Sequence, residues 1–308
     1  MSFLSLLFTL LIEQFRPLSS RSLAYVWFNR YVNYLSSNFN AGEQSQGMAA
    51  WWFAVLPWTL IVLGGYYLLG GINIGLGWLW NVAVLYLTLG FRQFSHAFTE
   101  ITEVLRAGDI EKARALLAEW RREPVSEYNA TEIAKVSIED GLIGSHRHVF
   151  GVMFWFLLLP GPTGAILYRL AAILEEKWGS RPVEEYGDFG RYARRIFYYL
   201  DWIPVRLTAM SFAIAGDFED AVYCWRSQAA TWPDPEKGIV LASGAGALGV
   251  RLGETLHHRG VVVFRPELGL GDEADANSMT SAAGMIWRAL VMWMFILGLV
   301  TLARLIEA

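Results

Sequence analysis

The chain has 308 residues, 54% hydrophobic and 18% charged, with a net charge of −4 at pH 7 and a mean hydropathy of +0.32. Soluble domains carry about 25% charged residues, so an ordinary soluble protein is disfavoured, and no Lys/Arg-dense tract points to nucleic acid. The single cysteine, Cys224, excludes an internal disulfide and any cysteine-based zinc site.

The opening run "MSFLSLLFTLLIEQFRP" stops being apolar at Glu13. That is short of the roughly 20 residues a span needs. It lacks the basic start and small-residue cleavage site of a secretory signal, so it reads as an interfacial helix kept in the mature protein. Trp51–Leu69 is a span, with Pro57 tolerated where a neighbouring helix satisfies the freed carbonyl. A glycine turn at Gly70, Gly71 and Gly75 leads to a second span over 76–91. Both ends of that hairpin lie on one side. Arg16, Arg21 and Arg30 against a lone Glu43 put residues 16–50 and 92–147 in the cytoplasm.

Residues 92–140 read as amphipathic helices outside the bilayer. In "AGDIEKARALLAEWRRE", Ile110, Ala113, Leu116, Leu117 and Trp120 share a face, and Asp109 is a natural N-cap. The next apolar run, 149–170, breaks at Pro160-Gly161-Pro162. It is either a kinked single span or a re-entrant pair of half-helices. Residues 171–280 read as soluble helical parts, with an Ile-Pro turn in "LDWIPVRLTA", a loop at "TWPDPEKG" and a polar loop through Ser281. A last span covers 285–303. The fold class is therefore all-α: one polytopic integral membrane domain, residues 1–308, with amphipathic cytoplasmic helices and the lipid bilayer as partner. No oligomeric state is legible.

"GAGALG" at Gly244–Gly249 matches a dinucleotide fingerprint by letters, but no strand–turn–helix pattern surrounds it. Its small residues suit close backbone packing instead. His146 and His148 are two apart, which on a helix points them to different faces, so no metal site is read there. Arg147 between them is of more interest, because the guanidinium fork suits carboxylate and phosphate. Asp201 and Arg206 are ionisable groups beside apolar sequence, where such residues are expensive and often functional.

Taken in order, these blocks resemble the CobD/CbiB family of cobalamin-biosynthesis membrane proteins and the related AmpE proteins. "LRAGDIEKARALLAEWRRE", "GVMFWFLLLPGPTGAILYR", "LDWIPVRLTA" and "ASGAGALGVRLGE" with "RPELGLG" carry the resemblance, which spans nearly the whole chain. It implies a multi-pass protein of the bacterial inner membrane. The implied activity is that of adenosylcobinamide-phosphate synthase, which joins cobyric acid to aminopropanol or its phosphate through an amide bond, with ATP and Mg²⁺. It also implies an anionic small-molecule ligand. Carried over by position, Glu123, Glu139 and Glu175 would be the catalytic carboxylates. Arg122, Arg147, His148, Tyr168, Arg169, Asp201 and Arg206 would bind substrate, with no dedicated metal ligand.

The chain departs from that family pattern in places. Arg147 stands where the synthases have an aspartate, as it does in AmpE. Phe197-Tyr198 stands where they have an aspartate pair, and Asp201 where they have asparagine. Glu175 is the acid left of an N-T-x-D block, and Glu139 the first carboxylate of E-S-x-A-E-N. These departures leave a second reading, a non-enzymatic AmpE-like sensor that kept the arginines.

Overall fold

Long apolar runs give long helices here, and breaks fall where a helix loses its hydrogen bonds. The computed structural model describes residues 2–15, 23–258 and 261–306. Arg16 and Arg21, two of the charges used above to orient the first hairpin, lie outside the described residues. The chain is mostly helical: α1 (Ser2–Phe15), α2 (Leu23–Phe39), α3 (Gln44–Ile72), α4 (Ile74–Thr88), α5 (Phe91–Arg106), α6 (Ile110–Arg121) and α7 (Ala130–Ser145) come first. Then follow α8 (Gly151–Leu158), α9 (Thr163–Leu174), α10 (Val183–Tyr186), α11 (Arg191–Ala215), α12 (Phe218–Gln228) and α13 (Pro235–Leu248). Five short strands, β1 (Val250–Gly253), β2 (Leu256–His258), β3 (Val261–Val263), β4 (Glu267–Leu268) and β5 (Asp272–Glu273), precede the last helix, α14 (Ala276–Ile306). Among the described residues, two helices are long and apolar enough to cross a membrane, Gln44–Ile72 and Ala276–Arg304, judged by length and composition. Two units divide the chain: Met1–Gln93 with Arg147–Trp202, and Phe94–His146 with Ile203–Ala308.

In the first unit α4 packs against α1 and α3, and α9 packs against both α3 and α4. Pro57 sits inside α3, where it cannot donate to the carbonyl of Phe53. Tyr31 of α2 donates its hydroxyl to that carbonyl instead, at 2.9 Å. The glycine turn expected at Gly70 and Gly71 does not form. Both are helical, and the break comes at Asn73, whose side chain accepts from the Gly75 N–H at 2.7 Å. The following helix has 15 residues, roughly 22 Å, shorter than the expected second span.

The Pro-Gly-Pro run folds back on itself. A single π-turn precedes α8 and another follows α9. Between the helices the chain reverses at Gly161, whose φ of +58° suits a residue without Cβ. Successive contacts along the two arms share one register. A Cβ on Gly151 would lie 2.3 Å from the Tyr168 ring, and one on Gly164 would lie 1.9 Å from the Trp155 carbonyl oxygen. Residues 151 with 168 and 155 with 164 have the same sum, which is the signature of an antiparallel helical hairpin. Its tip rests on Tyr66 near the end of α3.

In the second unit α13 is buried over most of its length and packs on α12 and α7. This accounts for "GAGALG", which is helical up to Leu248: Gly244 abuts Leu142 of α7, and Gly246 abuts the backbone at Asp220. "TWPDPEKG" is only half a loop, because Asp234 caps α13 and Pro235 opens it. Cys224 is buried, and burial pushes its thiol up to about 11, as befits a small apolar residue.

Two readings are corrected in this part of the chain. The all-α class is too simple, since residues 250–273 form a three-stranded sheet in the order β4-β1-β5 and a separate β2–β3 hairpin. β1 pairs antiparallel with β4 at Leu252↔Leu268 and parallel with β5 at Val250↔Asp272. The polar loop through Ser281 also ends early, at Asp275, whose carboxylate caps α14 by accepting from the Ser278 N–H at 2.7 Å.

Candidate functional site

Among the described residues, each unit holds a cluster of buried charge. In the first, the hairpin brings together residues 28 apart: Arg147 Nη2 lies 2.8 Å from Glu175 Oε2. The other Glu175 oxygen accepts from the Ser180 hydroxyl at 2.7 Å. Both ionic side chains are buried, at 14% and 7% exposure. The Arg147 guanidinium stands 5.1 Å over the Phe197 ring, which also meets the Tyr168 ring at 5.5 Å.

Tyr168 donates its hydroxyl to Asp201 Oδ1 at 2.8 Å, and both residues are buried. Arg169 Nη1 reaches His148 Nε2 at 3.4 Å. A guanidinium can only donate, so that ring nitrogen accepts and Nδ1 carries the proton. The buried Nδ1 has no hydrogen-bond partner, which leaves it a donor for an incoming acceptor. His146 is occupied elsewhere, with its Nδ1 2.8 Å from the Thr208 hydroxyl.

The Ile-Pro turn expected beside Asp201 is absent. α11 runs straight through Pro204. The carbonyl that Pro204 leaves unpaired, Leu200 O, accepts from Trp155 Nε1 at 3.0 Å. Arg206 is half-buried further along the same helix.

The second unit's cluster joins α7 to the stranded segment. Glu132, Lys135 and Glu139 lie at i, i+3 and i+7 of α7, on one face. Glu139 Oε1 accepts from the Gly253 N–H at 2.9 Å, and Oε2 accepts from Arg265 at 2.6 Å. Lys135 pairs with Glu254, which sits at a φ of +61°, a conformation that costs a non-glycine residue energy and marks functional or constrained turns. Glu132 accepts from His257 N and Nδ1 at 3.0 and 2.7 Å. Burial would raise Glu132, but bonds from the Asn129 N–H and from His257 outweigh it and hold the carboxyl below the ordinary range. A cleft of about 540 Å³ opens here, lined by Glu132, Lys135, Glu254, His257, Phe264 and Arg265 among others.

The remaining candidates lie at the edge of this unit. Arg122 ends α6 in a left-handed conformation and is exposed. Glu123 is exposed and 3.4 Å from Arg121, which also grips Asp140 at 2.9 Å. Burial pushes Asp140 up to about 6; Arg121 pulls against this and the neighbouring Glu139 carboxylate adds to it. A carboxyl with a raised folded-state pKa binds its proton more tightly folded than unfolded. Stability therefore falls as pH rises from about 4 to about 6. Asp140→Asn is expected to flatten that part of the profile in thermal unfolding of the detergent-solubilised protein; an unchanged slope would refute the assignment.

Arg265, Lys135, Glu132 and Glu254 were not among the candidates read from the sequence. The helical spacing of the α7 residues could have found three of the partners' anchors, but Arg265 is 126 residues from Glu139 and only the fold pairs them.

The donor sets do not fit a divalent cation as they stand. Both oxygens of Glu175 and both of Glu139 are committed to cations, a hydroxyl or an amide. Among the described residues no three His, Cys, Asp or Glu side chains gather into a metal-sized group. Arginine forks and an unpaired imidazole donor suit an anion better.

Fold and clusters together define a largely helical protein with membrane-length apolar helices and buried arginine–carboxylate pairs. The CobD/Cbib protein family matches residues 9–286. A protein named cobalamin biosynthesis protein CobD in Stutzerimonas stutzeri is 34% identical over 299 residues, covering 96% of each chain. Those of the same name in Chromobacterium violaceum and Synechocystis are 34% and 29% identical, over 80% and 67% of this chain and 73% and 62% of their own. The chain belongs to the CobD/CbiB family. No solved structure matches it.

Proposed function

We propose that this chain is a multi-pass protein of the bacterial inner membrane that works in cobalamin biosynthesis. Its reaction would be ATP-dependent formation of the amide between cobyric acid and aminopropanol or its phosphate. The observation that carries this reading is that the family-like blocks pair off in space. Tyr168 of the "PGPTGAILYR" block meets Asp201 of the "LDWIPVRLTA" block. Glu139 meets Arg265 of the "RPELGLG" block. Arg147 and Glu175 close the hairpin between them. The names of the relatives favour this reading over an AmpE-like sensor.

In this reading Arg147 and Arg169 of the first unit hold phosphate or carboxylate oxygens, with His148 Nδ1–H as a neutral donor, and Arg122 and Arg206 of the second unit are proposed as anion-binding residues on the resemblance alone. Glu123, Glu139 and Glu175 are the carboxylates available to take a proton from the attacking amine. Substrate anions would displace carboxylates from arginines, which frees a base where the amine arrives. The α8–α9 hairpin is a re-entrant loop alongside α3, with both polar ends on the cytoplasmic face; backbone broken at Pro-Gly-Pro is tolerated there because protein covers it.

The test is growth. A synthase-null strain made to depend on cobyric acid should be rescued by this chain. Absence of rescue at normal membrane expression would sink the enzymatic reading.

A further inference from the structure

Neither cluster of buried charge uses a groove of about 440 Å³ in the first unit. Ser45 and Met48 of α3 line one wall, and Tyr192, Arg195, Ile196 and Tyr199 of α11 line the other. On α11 these fall at i, i+3, i+4 and i+7, so they share a face. The walls are pinned together beside it. A Cβ on Gly47 would lie 2.0 Å from the Phe189 carbonyl oxygen, and Trp52 Nε1 donates to the Tyr192 hydroxyl at 3.1 Å. Two donors in the groove are uncommitted. Tyr192 accepts from Trp52, and its own proton goes to no group among the described residues. Arg195 is exposed and makes neither ion pair nor hydrogen bond among the described residues. Its neighbours differ: Arg194 Nε donates to the Gly179 carbonyl at 2.7 Å, and Arg191 lies 3.8 Å from Asp188. The carboxylate at the start of α3, Glu43, accepts from the Ser45 hydroxyl at 3.2 Å rather than from Arg195.

A guanidinium fork beside a phenol donor suits phosphate oxygens, and Met48, Ile196 and the Tyr199 ring add an apolar lining. We propose that the groove holds the phosphodiester headgroup of an anionic phospholipid, in the leaflet where α3 begins. Arg195 and Tyr192 donate to the phosphate, and the upper part of an acyl chain runs past Met48 onto α3. The inference rests on the membrane placement of α3 proposed above and goes beyond it. A lipid there would steady the part of α11 that serves the first cluster. Phe197, which lies under Arg147, and Asp201, which is bonded to Tyr168, follow within two turns of Arg195.

The depth of the groove selects a lipid over a phosphate in solution. α3 is one of the two helices of membrane length. Its 29 residues span roughly 43 Å, more than a hydrocarbon core of about 30 Å requires. The apolar run begins at Trp51, so Met48 and Ser45 stand roughly 5–9 Å outside the core. That is the depth of the headgroup layer, about 5–8 Å on each side. The path inward is continuous. Ser45, Met48, Trp52 and Leu56 follow one another along one face of α3 in steps of three and four, and Met48, Trp52 and Leu56 are exposed. Trp52 stands at the boundary, where its amphipathic ring is favoured.

The experiment reconstitutes the full chain in nanodiscs of equal phosphatidylglycerol and phosphatidylcholine. Lipids that stay bound on release are counted by native mass spectrometry. Phosphatidylglycerol should be retained several-fold over phosphatidylcholine, the scale on which one arginine at a membrane surface favours anionic lipid. Arg195→Gln should lose most of that preference and Tyr192→Phe part of it, while both unfold thermally like the unaltered chain in phosphatidylcholine alone. An undiminished preference in Arg195→Gln would overturn the site. So would loss of the bound lipid to millimolar inorganic phosphate, which would make the groove a site for a soluble anion. A fluorophore at Leu60→Cys, in a Cys224→Ser background, reports the placement of α3 separately, because Leu60 is exposed midway along the helix. Lipid-borne nitroxide should quench it strongly. Weak quenching would overturn the placement of α3 and the lipid site with it, whereas strong quenching without lipid preference would overturn the site alone.

Discussion

Arg147→Ala is expected to destabilise the protein by roughly 3–5 kcal/mol, the usual cost of removing one partner of a buried ion pair. The cost arises on the partner left behind. Glu175 is 5% exposed, and without Arg147 its remaining hydrogen bond is the one from Ser180. Glu175→Gln should cost less, because a neutral amide needs no counter-charge and Arg147 keeps the Phe197 face beneath it. The double variant should cost less than the sum of the two single ones, since the pair is shared. Urea unfolding of the four proteins in detergent measures this cycle; strict additivity would show that the pair contributes nothing.

Arg147→Lys separates holding the fold from holding a ligand. Lysine keeps the charge for Glu175 but loses the fork and the stacked plane. Near-normal stability with failed rescue on cobyric acid would assign Arg147 to the ligand. Full rescue would reduce it to a structural cation. The contact with Phe197 sharpens the point. An aspartate at 147 would place a carboxylate beside Glu175 and over a ring face that favours cations, so the site as built calls for a cation there.

What could be read from the chain alone was whatever depends on neighbours in sequence. The apolar runs became α3 and α14 because a helix satisfies its own backbone. Asp109 caps α6 through the Lys112 N–H at 3.0 Å, as its place before a periodic run implied. The face of α6 held only partly: Ala113 and Leu117 are buried, whereas Ile110 is 36% exposed. Legibility failed where a distant group decides. Pro57 stays helical as expected, its freed carbonyl taken by Tyr31 of a neighbouring helix, but the turn expected at Pro204 is absent because a remote side chain, Trp155, takes the carbonyl that proline frees. The strands of 250–273 are two to four residues long, too short for an alternating pattern to register. Of the site, the arginines and carboxylates were visible as residue types in apolar surroundings. Their pairing across 28 and 126 positions was not.

Gly164→Ala is expected to disrupt the hairpin. A Cβ there would stand 1.9 Å from the Trp155 carbonyl oxygen and 2.5 Å from its carbon. Those are backbone atoms, so no side chain can swing aside, and the arms must part. Overpacking of this kind costs at least about 1–3 kcal/mol, and here the movement is levered along both helices. Parting the arms at 155 and 164 shifts the Gly151–Tyr168 contact, and with it the Tyr168–Asp201 bond and the Arg147–Glu175 closure. Gly70→Ala is the matched control, since a Cβ at Gly70 meets nothing within 4 Å. Alanine there should be neutral or slightly stabilising, because Gly70 is helical and glycine costs a helix about 1 kcal/mol relative to alanine. Protease resistance and thermal unfolding in detergent should fall for Gly164→Ala and not for Gly70→Ala. Equal behaviour of the two would mean that the arms of the hairpin do not meet at its waist, and the charged cluster at its open end would lose its structural basis.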